Sequence, residues 1–245
     1  MKAGGDCLFE RVHHQRIHSV LLSLDADLLA QFKCYFGGGT AVALRFGEFR
    51  ESVDIDFIVS DVPSYRELRQ RLTSAAGINA LTRSNTPLQQ ARELRADQYG
   101  IRTLLRLAEA DIKFEIVLEA RIALQTPAPA DVIGGVACLC VPDLIACKLL
   151  ANSDRWADDS VFSRDLIDLA MMRASGVPLR QARAKAMLAY GSSIDADALK
   201  AVDHLLGRPG RLERCMAALR ISAPKALLWQ RLLSLQRALQ KASPA

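Results

Sequence analysis

The sequence lacks the signatures of several large classes of protein. No apolar run approaches the roughly 20 residues that a membrane-spanning helix needs, and residues 1–7 have no apolar core typical of a signal peptide. The Gly-x-Ser-x-Gly elbow of a Ser-His-Asp hydrolase is absent, and no Gly-Lys-Ser/Thr of a P-loop follows the glycine run at residues 37–39. We therefore expect a cytoplasmic protein that belongs to neither of these two enzyme classes.

Metal-binding signatures built on cysteine and histidine are also weak. The six cysteines include no Cys-x-x-Cys pair, and no histidine lies near Cys138 and Cys140, which are close in sequence. We interpret the cysteines as reduced core thiols rather than zinc ligands. His14 and His18 share one face of a predicted helix, but with no further ligand in view we expect that face to be solvated.

Charge is distributed unevenly along the chain. Residues 173–245 hold 13 Lys and Arg against 4 Asp and Glu, whereas residues 1–172 hold 19 against 23. An acidic N-terminal part suits a cation site, and a basic C-terminal part suits a polyanionic partner such as RNA or an acidic protein. Arginine-rich helices can equally be plain solvated surface, so charge alone does not decide between these interpretations.

A glycine turn followed by two closely spaced acids is the most informative stretch. The turn at residues 37–39 opens a short predicted helix over residues 40–47, and a predicted strand over residues 53–59 follows. Asp54 and Asp56 alternate with apolar residues on that strand, so both carboxylates point to one face. Two acids on one face repel each other, and hard cations prefer carboxylate oxygen. The glycines can bring backbone N–H groups to a phosphate at a helix start. Each piece alone is more often an ordinary turn or strand edge, but their order suggests a nucleoside triphosphate held on Mg²⁺.

The same stretch resembles the first motif of a known enzyme family. Gly38-Gly39-Thr40, followed by Arg50-Glu51-Ser52-Val53-Asp54-Ile55-Asp56-Phe57, is similar to the Gly-Gly-Thr turn and Arg-x-Ser-x-Asp-(Ile/Leu)-Asp-Phe strand of AbiEii/AbiGii-type nucleotidyltransferases. These enzymes belong to the DNA polymerase beta-like nucleotidyltransferase superfamily, and many are toxins of toxin–antitoxin systems. The resemblance implies an α/β (α+β) fold, with a mixed-sheet core over residues 1–141 and a helical C-terminal part over residues 142–245.

Residues 111–118 carry the second part of the resemblance. They alternate as a half-buried strand should, with Asp111, Lys113 and Glu115 on one face. The resemblance implies that Glu115 is the third active-site carboxylate. Alternation alone does not separate Glu115 from Asp111, and without the upstream motif a solvated lysine–glutamate face would be the better interpretation.

The last motif of the family is a Lys-Leu helix followed by Arg-Asp-x-x-Asp-Leu. Lys148-Leu149 and the run from Arg164 to Leu169 match it, and Asp165 and Asp168 lie three residues apart on one helix face. In the family this lysine and the first aspartate are counted as active-site residues. By resemblance, Lys148 would bind the triphosphate and Asp165 would orient it, whereas charge decoration of a helix surface is the alternative.

Apolar periodicity predicts the rest of the chain. Helices are expected at residues 8–31, 63–75, 179–190, 195–206, 211–219 and 224–242. Strands are expected at residues 32–36, 78–81 and 98–104, a hairpin or strand at 132–141, and a polar connection between 81 and 98.

These observations predict a Mg²⁺-dependent nucleotidyltransferase that uses an NTP donor. The predicted metal ligands are Asp54, Asp56 and Glu115, in the two-metal logic common to such displacements. The predicted phosphate-binding residues are Gly38, Gly39, Thr40, Lys148 and, more weakly, Arg45 and Arg50. The resemblance and the basic C-terminal part favour an RNA acceptor, first of all the tRNA 3′ end, and imply a toxin restrained by an antitoxin or by modification of its active site. The alternatives are transfer to a small molecule or a protein, and a non-catalytic nucleic-acid-binding protein on the same fold.

Overall fold

A computed structural model of the chain describes residues 8–242 and contains one five-stranded mixed sheet. Its strands are β1 (Tyr35–Gly37), β2 (Ile55–Val59), β3 (Gln89–Ala96), β4 (Gly100–Leu107) and β5 (Ala110–Leu118). They lie in the order β1-β2-β5-β4-β3, with β2 and β5 parallel and the other neighbours antiparallel. The predicted α/β class with a mixed sheet is confirmed. A small hairpin, β6 (Val132–Ile133) and β7 (Val136–Ala137), follows the sheet.

Helices surround this sheet and make up the C-terminal part. They are α1 (Val12–Ser23), α2 (Ala26–Gln31), α3 (Gly38–Arg45), α4 (Val62–Leu72), α5 (Val141–Arg155), α6 (Arg164–Met171), α7 (Gly176–Tyr190), α8 (Ser193–Leu206), α9 (Arg211–Ala218) and α10 (Lys225–Ala242). The prediction of one helix over residues 8–31 is wrong. The chain is extended at Leu24, and the Asp25 side chain then caps α2 by accepting a hydrogen bond from Leu28 N–H at 3.0 Å.

The stretch between α4 and β4 differs most from prediction. Residues 78–81, expected as a strand, lie in the 3₁₀ turn Gly77–Leu81, and the expected polar connection contains β3. β3 is the edge strand of the sheet and pairs only with β4, so most of its side chains face solvent. Charged residues such as Arg92 and Arg95 protect an open edge, but they also remove the apolar alternation that identifies a strand in sequence.

Aromatic rings join the three strands that carry the site. Phe36 on β1, Phe57 on β2 and Phe114 on β5 are buried, and successive ring centroids are 5.6 Å apart. Truncating one such ring to alanine costs about 3–5 kcal/mol, so this stack holds β2 and β5 firmly in register. On these strands Asp56 and Glu115 occupy the residue positions that alternate with the rings.

The C-terminal helices form a second packed layer against the core. On α10, Leu228, Leu232, Leu235 and Leu239 are buried at helical spacing, and the helix packs on α6 and α8. Since α5 and α6 also pack against α3, the helical part contacts the glycine turn directly. A boundary between two domains at residues 141 and 142 stays a prediction. None of the helices formed by residues 8–242 has both the length and the apolar character of a membrane span.

The cysteines of the described part are free thiols. Cys34, Cys138 and Cys215 are buried, whereas Cys140 and Cys147 are partly so. Burial raises the pKa of Cys138 to about 12, so this thiol stays protonated at neutral pH. Cys7, included in the same prediction, lies outside the described residues.

Candidate active site

A cavity of about 280 Å³ opens between the sheet and the C-terminal helices. Three parts of the chain form its walls. The first runs from Gly38 through the loop before β2 to Asp56, the second is β5 around Glu115, and the third comprises α5 and the start of α6, with Lys148 and Arg164. All three sequence motifs therefore meet in one cavity.

The glycine turn brings the start of α3 against the acids of β2. Gly37 pairs with Asp56 in the β1–β2 ladder, and Gly38 follows at φ +67°, a left-handed conformation that favours glycine. A Cβ atom on Gly38 would lie 2.7 Å from Cβ and 2.8 Å from Cγ of Asp56. A Cβ on Gly39 would lie 2.5 Å from Nη2 of Arg50. The two glycines are therefore needed for close approach as well as for the turn.

Asp54 and Asp56 both line the cavity, and within residues 8–242 neither carboxylate has a hydrogen-bond or ion-pair partner. Burial raises the pKa of Asp56 to about 6, and the charges of Asp54 and Glu115 add to this effect against the opposing effect of Lys113. Within residues 8–242, two partly buried carboxylates that lack an ion-pair partner form the arrangement that a bound cation stabilises. Carboxylate oxygens are hard donors, and Mg²⁺ usually takes only one or two of them besides water and substrate phosphates. The pair therefore fits such a cation.

The sheet register separates the two candidates for the third acid. Glu115 lies directly opposite Asp56 in the parallel β2–β5 pair and lines the cavity. Asp111 lies at the other end of β5, beside the turn from β4, where its exposed carboxylate pairs with Arg106. Of the two acids, Glu115 is thus the one that lies beside Asp56, and its role as the third active-site carboxylate stays a prediction.

The Glu115 carboxylate nevertheless already has two cationic partners. Lys113 Nζ lies 2.6 Å from one of its oxygens, and Arg102 Nε lies 2.5 Å from the other. Although burial opposes them, these two cations hold the pKa of Glu115 below its usual value. Within residues 8–242, no three His, Cys, Asp or Glu side chains are grouped so as to hold a metal ion. A role for Glu115 as a metal ligand stays a prediction.

Two aspartates of α6 organise three cations on the opposite wall. Asp168 accepts hydrogen bonds from Arg50 at 2.7 and 2.9 Å and forms an ion pair with Lys148 at 2.7 Å. Asp165 accepts from Lys148 at 3.0 Å and from Arg155 at 2.7 and 3.1 Å. Burial alone would raise the pKa of Asp165, but Lys148 and Arg155 hold that pKa well below its usual range. Burial alone would lower the pKa of Lys148, but the charges of Asp168 and Asp165 raise that pKa above its usual value. Three cations against two carboxylates leave this wall positive, facing the acidic pair.

Arg164 is a cavity residue that the sequence reasoning did not select. It begins α6 and lines the cavity, and within the described part of the chain it has no hydrogen-bond or ion-pair partner. Phe162 and Ser163, which precede it, both have φ of 52°. Left-handed backbone at residues other than glycine costs about 1–3 kcal/mol each and is concentrated at functional sites. The signal was present in the Arg-Asp-x-x-Asp-Leu motif, of which only the first aspartate, Asp165, was assigned a role.

Comparison with known proteins identifies the family. The model of the family described as nucleotidyl transferase AbiEii toxin, type IV toxin–antitoxin system, matches residues 22–242.

The chain belongs to the AbiEii nucleotidyl transferase toxin family. It is therefore a nucleotidyltransferase of the toxin–antitoxin type, as the first motif implied, and its family suggests a nucleotide substrate and an antitoxin partner.

Solved structures support the AbiEii fold assignment. A proposed nucleotidyltransferase from Helicobacter pylori is 18% identical with a TM-score of 0.52, and the match covers 94% of this chain and 92% of that one. JHP933 from Helicobacter pylori is 19% identical with a TM-score of 0.52, covering 94% and 90%. At such low identity these likenesses concern the fold alone. A comparison with curated protein sequences gives no match.

Two residues predicted to contact the nucleotide are not brought to the cavity of this AbiEii-family chain. Arg45 ends α3, roughly 10 Å along the helix from Gly38, where it donates to the Leu139 carbonyl at 3.1 Å and pairs with Asp131 at 2.5 Å. Thr40 is fully buried, and its hydroxyl donates to the Asp54 carbonyl at 2.5 Å. Thr40 thus holds the backbone that presents Asp54, whereas Arg45 braces the far end of α3.

The expectation that His14 lies on a solvated helix face is wrong. It is fully buried rather than solvated, with Nδ1 2.6 Å from Glu48 Oε1 and Nε2 accepting a hydrogen bond from Ser52 N–H at 3.1 Å. Burial lowers the pKa of His14, which favours the neutral ring that can accept from Ser52. The histidine therefore fixes the loop two residues before Asp54. Helical periodicity could not reveal this, since the contacts come from distant segments.

Proposed function

We propose that this chain transfers a nucleotidyl group from an NTP to RNA, with the tRNA 3′ end as the leading acceptor and Mg²⁺ as the cation. One observation carries the proposal. The unpartnered pair Asp54 and Asp56 shares a cavity with the unpartnered guanidinium of Arg164 and the positive wall around Lys148. A cation site facing a phosphate-binding wall is what a metal-bound triphosphate requires.

In this proposal Asp54 and Asp56 hold Mg²⁺, which supplies Lewis-acid activation of the phosphate when it is bound. The backbone N–H groups of Gly38 and Gly39 lie at the start of α3 beside Asp56 and are suited to a phosphate oxygen. Arg164 contacts the phosphates as a free guanidinium, while Lys148 contributes positive charge from within its ion-pair network.

Glu115 on β5 plays a supporting part. To become a metal ligand or a general base, Glu115 would have to release both Lys113 and Arg102. We therefore assign Glu115 the positioning of these two cations beside Asp56. The attacking hydroxyl oxygen of the acceptor bonds to the α-phosphorus and its proton passes to water, while the bond to the bridging oxygen breaks and pyrophosphate leaves with the electron pair.

An RNA acceptor is favoured by size and charge. A cavity of about 280 Å³ accommodates little more than the reacting part of one nucleotide, since pockets that enclose a whole ligand measure about 300–1,000 Å³. The acceptor then approaches from outside, as the end of a long polymer can. The basic residues 173–245, with 13 Lys and Arg against 4 Asp and Glu, suit a polyanion.

The decisive experiment incubates the purified protein with Mg²⁺, unfractionated tRNA and each α-labelled NTP in turn. Label on tRNA with one NTP, lost in Asp54→Asn/Asp56→Asn, supports the proposal.

Arg164→Gln should raise the KM for the NTP about tenfold or more with tRNA KM unchanged, because one charge-assisted contact is lost. The matched control is Arg66→Gln, an exposed arginine on α4. Label on protein or on a small molecule would replace RNA as the acceptor, and absence of label with every NTP would contradict the proposal.

A further inference from the structure

A groove between the end of α6, the start of α7 and α10 is strongly basic. Two adjoining depressions share Ser175 and Ser234, and together they are lined by five cationic side chains and no acidic one. The five are Arg173, Arg180, Arg231, Arg237 and Lys241. Four of them are exposed and Arg231 is half-exposed, so they form a surface available to a partner.

These cations have no counter-charge in the described part of the chain. None of the five forms an ion pair, and the one hydrogen bond from a side chain among them runs from Arg237 Nε to the Leu233 carbonyl of its own helix. Two of the three helices, α7 and α10, contain neither Asp nor Glu, and the two acids of α6 are already paired with Arg50, Lys148 and Arg155. Other exposed cations do form ion pairs, as Lys225 with Glu213 and Arg220 with Glu51 illustrate. Five like charges held together without compensation cost stability unless a polyanion neutralises them.

The chemistry of the lining distinguishes nucleic acid from protein. Guanidinium, ammonium and hydroxyl groups are the side chains that contact phosphate oxygens, and Ser175 and Ser234 add hydroxyl donors. The core of a protein–protein interface is instead enriched in aromatic residues and depleted of charge. No aromatic side chain lines the groove, and its apolar lining consists of alanines and leucines. Without aromatic rings to stack on bases, the groove suits the sugar–phosphate backbone rather than base recognition.

The groove is connected to the candidate active site by a single helix. Arg164 begins α6 in the active-site cavity, and Ala170 and Arg173 at the other end line the groove. Arg164 begins and Arg173 follows the eight residues of α6, whose ends lie roughly 11 Å apart at 1.5 Å per residue. That span corresponds to a few nucleotides of an A-form strand. An acceptor with its 3′ end in the cavity would reach the groove with its backbone a short distance upstream.

From these observations we propose that the groove binds backbone phosphates of the RNA acceptor. The inference rests on the proposed function for the identity of the polyanion, but it assigns a separate surface and separate residues. The groove contacts no reacting atom. It raises the affinity for RNA without recognising sequence and places the 3′ end near Asp54 and Asp56.

The test compares Arg180→Gln/Arg237→Gln with the control Arg66→Gln/Arg69→Gln, two exposed arginines of α4 that form no ion pair. Binding of fluorescent unfractionated tRNA is measured against salt concentration. Loss of two phosphate contacts should lower the slope of log K against log salt by about 2 and weaken binding at 0.1 M salt by roughly tenfold to sixtyfold. In turnover, the KM for tRNA should rise with kcat at saturating tRNA and KM for NTP unchanged. A second groove pair, Arg173→Gln/Lys241→Gln, should behave alike.

The possible results separate the groove from the proposed function. If the wild type labels tRNA and both groove pairs match the control, the groove assignment is wrong while the proposed function stands. If the wild type neither binds nor labels tRNA, the proposed function fails and the RNA assignment fails with it. If the groove pairs lose binding to the antitoxin but keep wild-type tRNA binding, the surface recognises protein and the inference is overturned. An unchanged Tm in all three variants shows that the comparison concerns folded protein.

Discussion

Substitution of Gly38 by alanine tests whether the glycine turn exists to bring α3 against the acids. Gly38 has φ of +67°, and placing a residue with a side chain in left-handed backbone costs about 1–2 kcal/mol. The new Cβ would also lie 2.7 Å from Cβ and 2.8 Å from Cγ of Asp56, so the carboxylate or the turn must move. A displacement of about 1 Å at a reacting centre can lower the rate about 100-fold.

Gly47 provides the matched control for the backbone cost alone. Its φ is +84°, also left-handed, but nothing lies within 4 Å of an added Cβ. We therefore expect Gly47→Ala to lose about 1–2 kcal/mol, or roughly 2–8 °C in Tm at this chain length, and Gly38→Ala to lose at least as much because its Cβ also overlaps Asp56. Only Gly38→Ala should lose nucleotidyl transfer, by about 100-fold.

The assay combines urea unfolding of both variants with initial rates at saturating NTP and tRNA. Because urea unfolding shows how much of each variant is folded under the assay conditions, the rates can be compared for folded protein alone. Transfer by Gly38→Ala within threefold of transfer by Gly47→Ala would refute the reasoning. It would mean that Asp56 tolerates the shift, or that the turn does not position the catalytic centre.

Three further predictions follow from the charges of the site. Asp56→Asn should abolish transfer yet stabilise the fold at pH 8 by roughly 1–3 kcal/mol, because the raised pKa of Asp56 disfavours its ionised form in the folded protein. Thermal unfolding should show this difference shrinking as the pH falls through 6 and vanishing below about pH 4, where the wild-type carboxyl is protonated in both states; a pH-independent difference would contradict it. Asp168→Asn should lower the free energy of unfolding by about 3–5 kcal/mol in chemical denaturation, since it leaves two buried cations short of a partner. Asp111→Asn, in an exposed ion pair beside the β4–β5 turn, should lower it by less than about 1 kcal/mol. Equal losses would show that the ion-pair network is not what stabilises α6. Glu115→Gln should lower kcat, whereas Asp111→Asn should leave kcat unchanged; the reverse order would place the third acid at Asp111.

The features that sequence predicted well depend on neighbours along the chain. Alternation around Asp56, the helical spacing of leucines on α10 and the Pro63 start of α4 are local patterns, and all three elements form as expected. Local reasoning failed in two places, for different reasons. The helix expected over residues 8–31 ends at Leu24 because Asp25 caps a new helix, a signal that was present and not used. β3 could not be recognised, since an edge strand lined with arginines lacks the apolar alternation of a half-buried one.

The three sequence motifs were enough to predict which chemical groups the site contains. Their residue types and spacing define paired carboxylates, a glycine turn and a cationic helix. Tertiary structure alone decided which of these groups act together. Strand register placed Glu115, and not Asp111, beside Asp56. Packing of α6 on α5 paired Lys148 with Asp165 and Asp168, whereas Arg164 has no ion-pair partner within residues 8–242. Burial turned His14 from a surface residue into a support for the loop before Asp54. Each of these outcomes depends on pairing between segments far apart in the chain, and such pairing leaves no trace in local periodicity.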